Sequence, residues 1–492
     1  MIGIICFVAT VLVTLAITGW AGRQGQKKAQ LYNAGGNISG AQNGLAISGD
    51  FMSATTVLGI TGLFFAGGWD TIIFYLAPIA GLALMLLLVA RPLRRLGVYT
   101  LGDVLTHRLK SPGLRLFSGV TTVIISLFYL LAQMVGAGTL IAALFHMPFL
   151  SAVCLVGALM ALYVAVGGML AATWVQIVKA GLLLCAVTAL AVICLVKAHG
   201  LAGLYAAVAP AEAHLLQPGG MKLDPLSAVS LGLGMVVGLV GLPHLLIRFF
   251  TVPDEHAAQT SVVVSSAVVG FVNVLLFLII GPSVLAFVTG SAHVGADGKL
   301  VGGSNMAILH LASVLGGDGL NGIISAVAFS TILAVVAGLT IASASAASHD
   351  IWRTLRAQKS GDGEELWVFR LSAILFAAVA IALAVVFQHE NIAFLSALAF
   401  AVAASTNFPV LILVLYWRGL TTAGALVGGF VGLILSIGLI VIGPQVWVPV
   451  LHHAHPLFRY EYPALFVVPV TFLTCFLVSK FTVQTLTAEM DH

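Results

Sequence analysis

Apolar runs, each near the roughly 20 residues needed to cross a bilayer, recur along the whole chain and are separated by short polar breaks. Thirteen such runs are predicted as helices, at 2–21, 43–68, 71–90, 115–143, 149–166, 171–196, 227–249, 261–288, 319–346, 367–387, 391–416, 420–442 and 462–481. The apolar piece at 305–316 is too short to span and is expected along the outer surface. The pattern predicts an all-α integral membrane protein with about 13 transmembrane helices and no soluble domain. The longest loops, near 197–226 and 443–461, have ordinary loop composition.

Two spans carry signs of interruption. The second holds Gly44, Gly49-Asp50 and Gly59 among Gln42, Asn43, Ser48, Ser53, Thr55 and Thr56. The seventh holds Gly232, Gly234, Gly238, Gly241 and Pro243, followed by His244. Irregular backbone at membrane depth needs a protein-lined cavity, and transporters place such breaks at corresponding points of two repeats. The two interrupted spans stand five apart, so spans two to six (42–196) and seven to eleven (227–417) are expected to form a 5+5 inverted repeat. An extra helix (1–21) would precede it and two helices (420–481) follow it. Glycines that only let helices pack closely are the alternative. Asp50 favours a functional break, because an ionisable residue at membrane depth is costly; it is the one acid this assignment places inside a span.

Composition agrees: 60% of residues are hydrophobic and 8% charged, against about 25% charged in soluble domains. No basic face with interleaved aromatics suggests nucleic acid as a partner. The five cysteines lie in apolar runs without a C-x-x-C pair, which points to small core residues rather than disulfides or zinc ligands. The run at 2–21 lacks a basic segment before it, and Arg23, Lys27 and Lys28 follow it, as expected of a retained span.

Charge orients the spans. With the N-terminus outside, one face receives Arg23, Lys27, Lys28, Arg91, Arg94, Arg95, Arg108, Lys110, Arg115, Arg248, Arg353, Arg356, Lys359, Arg370, Arg418 and Lys480, while the other receives Lys197, Lys222, Lys299 and Arg459. By the positive-inside rule the richer face is cytoplasmic, with the C-terminus inside. Lys179 remains within a span.

Several motifs, in order, carry a family resemblance. They are Ala34-Gly-Gly-Asn-Ile-Ser-Gly with Asn43-Gly-Leu-Ala-Ile-Ser-Gly-Asp50-Phe-Met-Ser-Ala54; Tyr99-Thr-Leu-Gly-Asp103 with Arg108; and Leu131-Ala-Gln133-Met-Val-Gly-Ala-Gly138. Further along come Tyr163, Gly167-Gly168 and Trp174; Gly241-Leu-Pro243-His244 with Arg248 and Phe249-Phe-Thr251; Ala334-Val-Val-Ala-Gly338 through Ser348-His349-Asp350; and Ala404-Ser-Thr-Asn407-Phe-Pro409 with Tyr416-Trp417. Over essentially its whole length the chain resembles the solute:sodium symporter family, and within it the cation/acetate symporters of the acetate permease type.

The resemblance implies a LeuT-type inverted-repeat core in a bacterial-type inner membrane, no enzymatic activity, no cofactor, and no metal beyond a transported sodium ion or proton. It places the cation between carbonyls of Gly49 and Met52 and the Thr331 position, with Asp50 nearby. The family's paired hydroxyl positions read Ala334 and Val335 here, and its Trp-Thr-Asp…Gln stretch reads Trp174-Val-Gln176-Ile-Val-Lys179. Oxygen ligands are therefore missing where a hard cation would want them. A protonated Lys179 could stand in the cation's place and make coupling proton-driven; the alternative is a lysine snorkelling to the headgroups. Asn407 is expected to satisfy broken backbone in the tenth core helix.

A small monocarboxylate such as acetate needs a few donors and a small apolar pocket. Candidates are Ser53, Thr55, Thr56, Gln133 and His244, the last equally suited to holding the kinked helix end. Secondary active uptake by alternating access, cation and monocarboxylate together, is the expected function. The same fold could instead carry an amino acid, sugar or vitamin. A membrane enzyme would need a cluster of facing acids, histidines or a nucleophile, and a channel an open pore. His452, His453 and His455 cluster on a loop without entering this reading.

Overall fold

The computed structural model describes residues 38–96, 100–166, 169–210, 212–221, 223–289, 292–296, 298–356 and 362–490, with single positions near the N-terminus. The expected span at 2–21, the basic residues after it, residues 34–37, Tyr99 and Gly167-Gly168 lie outside that description, as does the side chain of Tyr163.

Helices carry the fold. Among them, in chain order, are α1 (Gly40–Phe51), α2 (Ile60–Gly67), α3 (Ile72–Leu88), α4 (Leu101–Leu109), α5 (Pro112–Phe145), α6 (Phe149–Val166), α7 (Met169–Lys197), α8 (Pro225–Gly241), α9 (Pro243–Leu246) and α10 (Glu255–Leu275). Then follow α11 (Gly281–Phe287), α12 (Ala307–Ser345), α13 (Asp362–Val386), α14 (Ile392–Ser405), α15 (Asn407–Tyr416), α16 (Thr422–Val441) and α17 (Ala464–Met490). Among the described residues nine helical stretches are long and apolar enough to cross a membrane, and a tenth if α8 and the 243–250 segment, bent by 44°, count as one. The 305–316 piece is a separate helical segment: Gly316 and Gly317 break α12 with non-helical backbone, and Gly317 sits at φ 60°, where a side chain would strain.

The packing has an internal symmetry. Matching α1, α3, α5, α6 and α7 in order with α8, α10, α12, α13 and α14 turns the α1–α10 contact into α8–α3, α7–α12 into α14–α5, and α1–α7 into α8–α14; all of these pairs are in contact. The α5–α12 and α6–α13 contacts map onto themselves, and both occur. Two five-helix units therefore interlock.

Both breaks fall at corresponding points. Met52 ends α1 with extended backbone (φ −73°, ψ 99°), and Leu242 ends α8 almost identically (φ −76°, ψ 114°). At Leu242 the cause is local, because a residue before proline is pushed out of the helical region and Pro243 has no N–H to donate. The glycines that marked these spans do another job. A Cβ on Gly49 would lie 2.4 Å from the Gln176 carbonyl, and one on Gly238 2.2 Å from that of Phe400. They admit close helix approach, while the breaks belong to Met52 and Leu242.

Candidate functional site

An interrupted helix leaves carbonyls and N–H groups without partners, which must be met by side chains from elsewhere. Here those side chains gather. Lys179, on α7 and 1% exposed, donates Nζ to the Gly49 carbonyl at the end of α1. Asn407, at the start of α15, donates to the Gly241 carbonyl at 3.0 Å. It thus mends the end of α8 rather than backbone in its own span, a correction to the sequence expectation. Asn43 donates to the Arg248 carbonyl and to Ser261 Oγ, both at 3.1 Å, tying α1 to the other broken helix.

Asp50 is buried and fully engaged. Its Oδ2 accepts from Arg248 Nε at 2.5 Å and its Oδ1 from Gln176 Nε2 at 2.5 Å. Arg248 Nη1 also donates to Thr173 Oγ1 at 2.7 Å. Arg248 was placed with the cytoplasmic cations by charge counting, but it is 1% exposed and faces Asp50. A buried charge needs a partner, so its position follows the carboxylate and not the headgroups. Removing it from the tally leaves the asymmetry strong.

The cation position suggested by the resemblance is occupied by the chain itself. Gln176 Nε2 bridges Asp50 and the Ala334 carbonyl, the latter at 3.0 Å, and Lys179 holds the Gly49 carbonyl. Lys179 does not reach outward. Thr331 is buried on α12 with its hydroxyl donating to Ala328 O at 2.6 Å; Met52 is buried at the break itself. Gly338 faces the Asp50 carboxylate, and a Cβ there would make ordinary contact with Oδ1 at 3.5 Å.

A second group of side chains lies just past the α1 break. Gln133, buried in α5, donates Nε2 to Ser53 Oγ and Thr55 Oγ1, both at 3.3 Å. Thr55 meets Ser396 Oγ at 2.5 Å, and Thr56 is buried beside it. Gln133 Oε1 and His244 Nδ1 are buried without hydrogen-bond partners among the described residues. A chain of rings closes this region: His244 stacks on Tyr129 (5.4 Å), Tyr129 meets Phe400 (5.9 Å), and Phe400 meets Phe51 (6.5 Å). The sequence reading missed Tyr129, Ser396 and Phe400. Nothing in their local pattern separates them from core residues.

At one end of α12, Asp103, His349 and Asp350 come within ligand distance of a common point. Arg115 already pairs with Asp103 at 2.9 Å, His349 meets Glu365 at 3.2 Å, and Thr100 donates to Asp350 at 3.3 Å. Asp350 is 1% exposed and Glu365 4%. Asp50 is therefore not alone among buried acids. These groups join α4, α5, the end of α12 and α13, so the motif ending at Asp350 serves as a polar lock between helices.

Residues 31–432 match the model of the sodium:solute symporter family. Among solved structures, the chain is similar to a Na+-coupled sialic acid symporter in a substrate-bound outward-open state, with TM-score 0.78, 14% identity and 98% of each chain covered. A nucleobase-cation-symport-1 family transporter, in a closed conformation with bromovinylhydantoin bound, gives TM-score 0.57 at 12% identity over 92% of this chain and 95% of that one. The Eremococcus coleocola manganese transporter gives 0.54 at 16%, covering 91% and 94%. At such identities the likeness concerns the fold.

Proposed function

The chain belongs to the sodium:solute symporter family, and from that premise we propose that it takes up acetate or a similarly small monocarboxylate together with a cation, as a multi-pass protein of a bacterial-type inner membrane with its C-terminus in the cytoplasm. One observation carries the substrate reading. The buried Gln133 amide bridges Ser53 and Thr55 at the α1 break and so holds together hydroxyl groups that can donate to a carboxylate. Ser53 Oγ accepts from Gln133 Nε2 and from the Thr55 amide, and as a hydroxyl it can also donate to a carboxylate. The Phe51–Phe400–Tyr129 rings offer a small apolar wall for a methyl or ethyl group. A sugar or amino acid would need more polar partners or a counter-charge than these residues supply. Labelled acetate uptake into proteoliposomes, under sodium and proton gradients imposed separately, tests the proposal; no accumulation under either gradient would end it.

Sodium is the coupling ion the family suggests. Proton coupling is the second reading, and the Lys179 bond to Gly49 favours it. Around the α1 break one carboxylate, Asp50, faces two basic side chains, Arg248 and Lys179. A protonated Lys179 leaves one positive charge in excess, which an incoming monocarboxylate would balance. In a medium of low dielectric such neutrality matters. The pair of proton and anion would then cross together. In family terms the chain is a transporter; a membrane enzyme or channel finds no corresponding support.

A further inference from the structure

His293 and His310 meet at the opposite end of α12 from the Asp103 cluster. His293 sits in the hairpin 292–303, which a Val294–Leu300 bridge closes; His310 lies near the start of α12. His310 Nε2 is 2.8 Å from the Val301 carbonyl. A carbonyl only accepts, so the neutral ring carries its proton on Nε2 and presents a lone pair at Nδ1. His293 Nδ1 lies 3.1 Å from that lone pair and donates to it. The rings cross at 63°.

The nitrogen–nitrogen spacing is close to that of a metal chelate. Two nitrogens each at 2.0–2.1 Å from a tetrahedral zinc ion stand about 3.4 Å apart, and these two stand at 3.1 Å. A ligating histidine usually gives its other N–H to a carbonyl or carboxylate, which fixes the tautomer; His310 already does so through Val301. Only the His293 proton must move, from Nδ1 to Nε2, with no net release. His310 also lines a pocket of about 400 Å³ whose wall includes His146, Asp318 and Asn321.

We propose that His293 and His310 form a two-histidine site for a first-row divalent transition ion, and that its occupancy clamps the 292–303 hairpin onto α12. The clamped segment joins the part of α12 that carries Ala334 through the break at Gly316 and Gly317, and holding it on the hairpin slows alternating access. That consequence rests on the transporter reading; the metal binding does not.

Calorimetric titration of the full chain with Zn2+, purified without a histidine tag, tests it. About one equivalent should bind saturably, as a two-histidine site with water ligands allows. His293→Ala and His310→Ala should each weaken binding at least tenfold, while joint alanine replacement of His452, His453 and His455 should leave it unchanged. His293→Gln, which keeps a hydrogen-bond donor on the hairpin, should match His293→Ala and secures the result against a folding defect. Equal binding by the wild type and the His293 and His310 variants, loss only in the triple variant, or no saturable binding overturns the site. Zinc-inhibited acetate uptake that persists in His293→Ala, or wild-type uptake indifferent to zinc, would overturn the clamp, and an absence of acetate uptake with zinc binding intact would sink only the acetate reading.

Discussion

Arg248 Nε donates to Asp50 Oδ2 at 2.5 Å, joining two discontinuous helices across 198 residues of sequence. The pair links the end of α1, just before its break at Met52, to the segment following α9, beyond the break at Leu242. Both partners are nearly fully buried, so neither charge is tolerable without the other.

Asp50→Asn keeps the shape but strands the Arg248 charge. Transport of acetate in proteoliposomes should fall at least tenfold, about 1.4 kcal/mol in barrier terms. Stability should fall by about 3–5 kcal/mol, as for other broken buried pairs, and a thermal melt of the detergent-solubilised protein reads it. Near-normal uptake and melting would relegate the pair to a minor role.

Gln133→Leu conserves volume and removes the amide that bridges Ser53 and Thr55. The expected outcome is a KM for acetate raised at least tenfold, measured by initial rates of labelled uptake. Gln133→Glu should be worse still, because a carboxylate there repels the substrate anion. Unchanged KM in both variants would move the substrate away from the α1 break.

Competition separates the cargo classes. Propionate and other small monocarboxylates should compete with labelled acetate, whereas proline and glucose should not. Strong competition by proline with none by propionate would replace the monocarboxylate reading with an amino-acid one.

Lys179 decides coupling. If its ammonium replaces the ion at the Gly49 carbonyl, uptake follows a proton gradient without sodium, and Lys179→Gln loses gradient-driven accumulation while retaining part of its exchange. Saturable stimulation by sodium at fixed pH and voltage, together with normal accumulation by Lys179→Gln, would reject the proton reading in favour of sodium.

Asn407→Leu leaves the Gly241 carbonyl unpaired in a buried helix break. A cost of about 1–3 kcal/mol is expected, visible as a lower melting temperature. Asn407→Asp should not restore it, since an ionised carboxylate cannot donate to a carbonyl.

The sequence by itself determined the all-helical, membrane-spanning class, because each apolar run reports its own transfer preference and the bilayer sets its length; thirteen spans were expected, and among the described residues nine or ten helical stretches are long and apolar enough. Residues 149–166 were predicted as one helix, and α6 has the same bounds. Pro243 made the second break legible, since proline acts on its immediate neighbour. Asp50 stood out because a charge in an apolar run needs an explanation wherever it ends up. The partners were not legible. Asp50 finds Arg248, Lys179 finds Gly49 O, Asn407 finds Gly241 O and Gln133 finds Ser53 across 198, 130, 166 and 80 residues. A local pattern records what a side chain must avoid, water or lipid. Only the packed helices decide which distant carbonyl or carboxylate meets its need, because burial makes an unpaired polar group expensive and leaves it to the fold to supply the match.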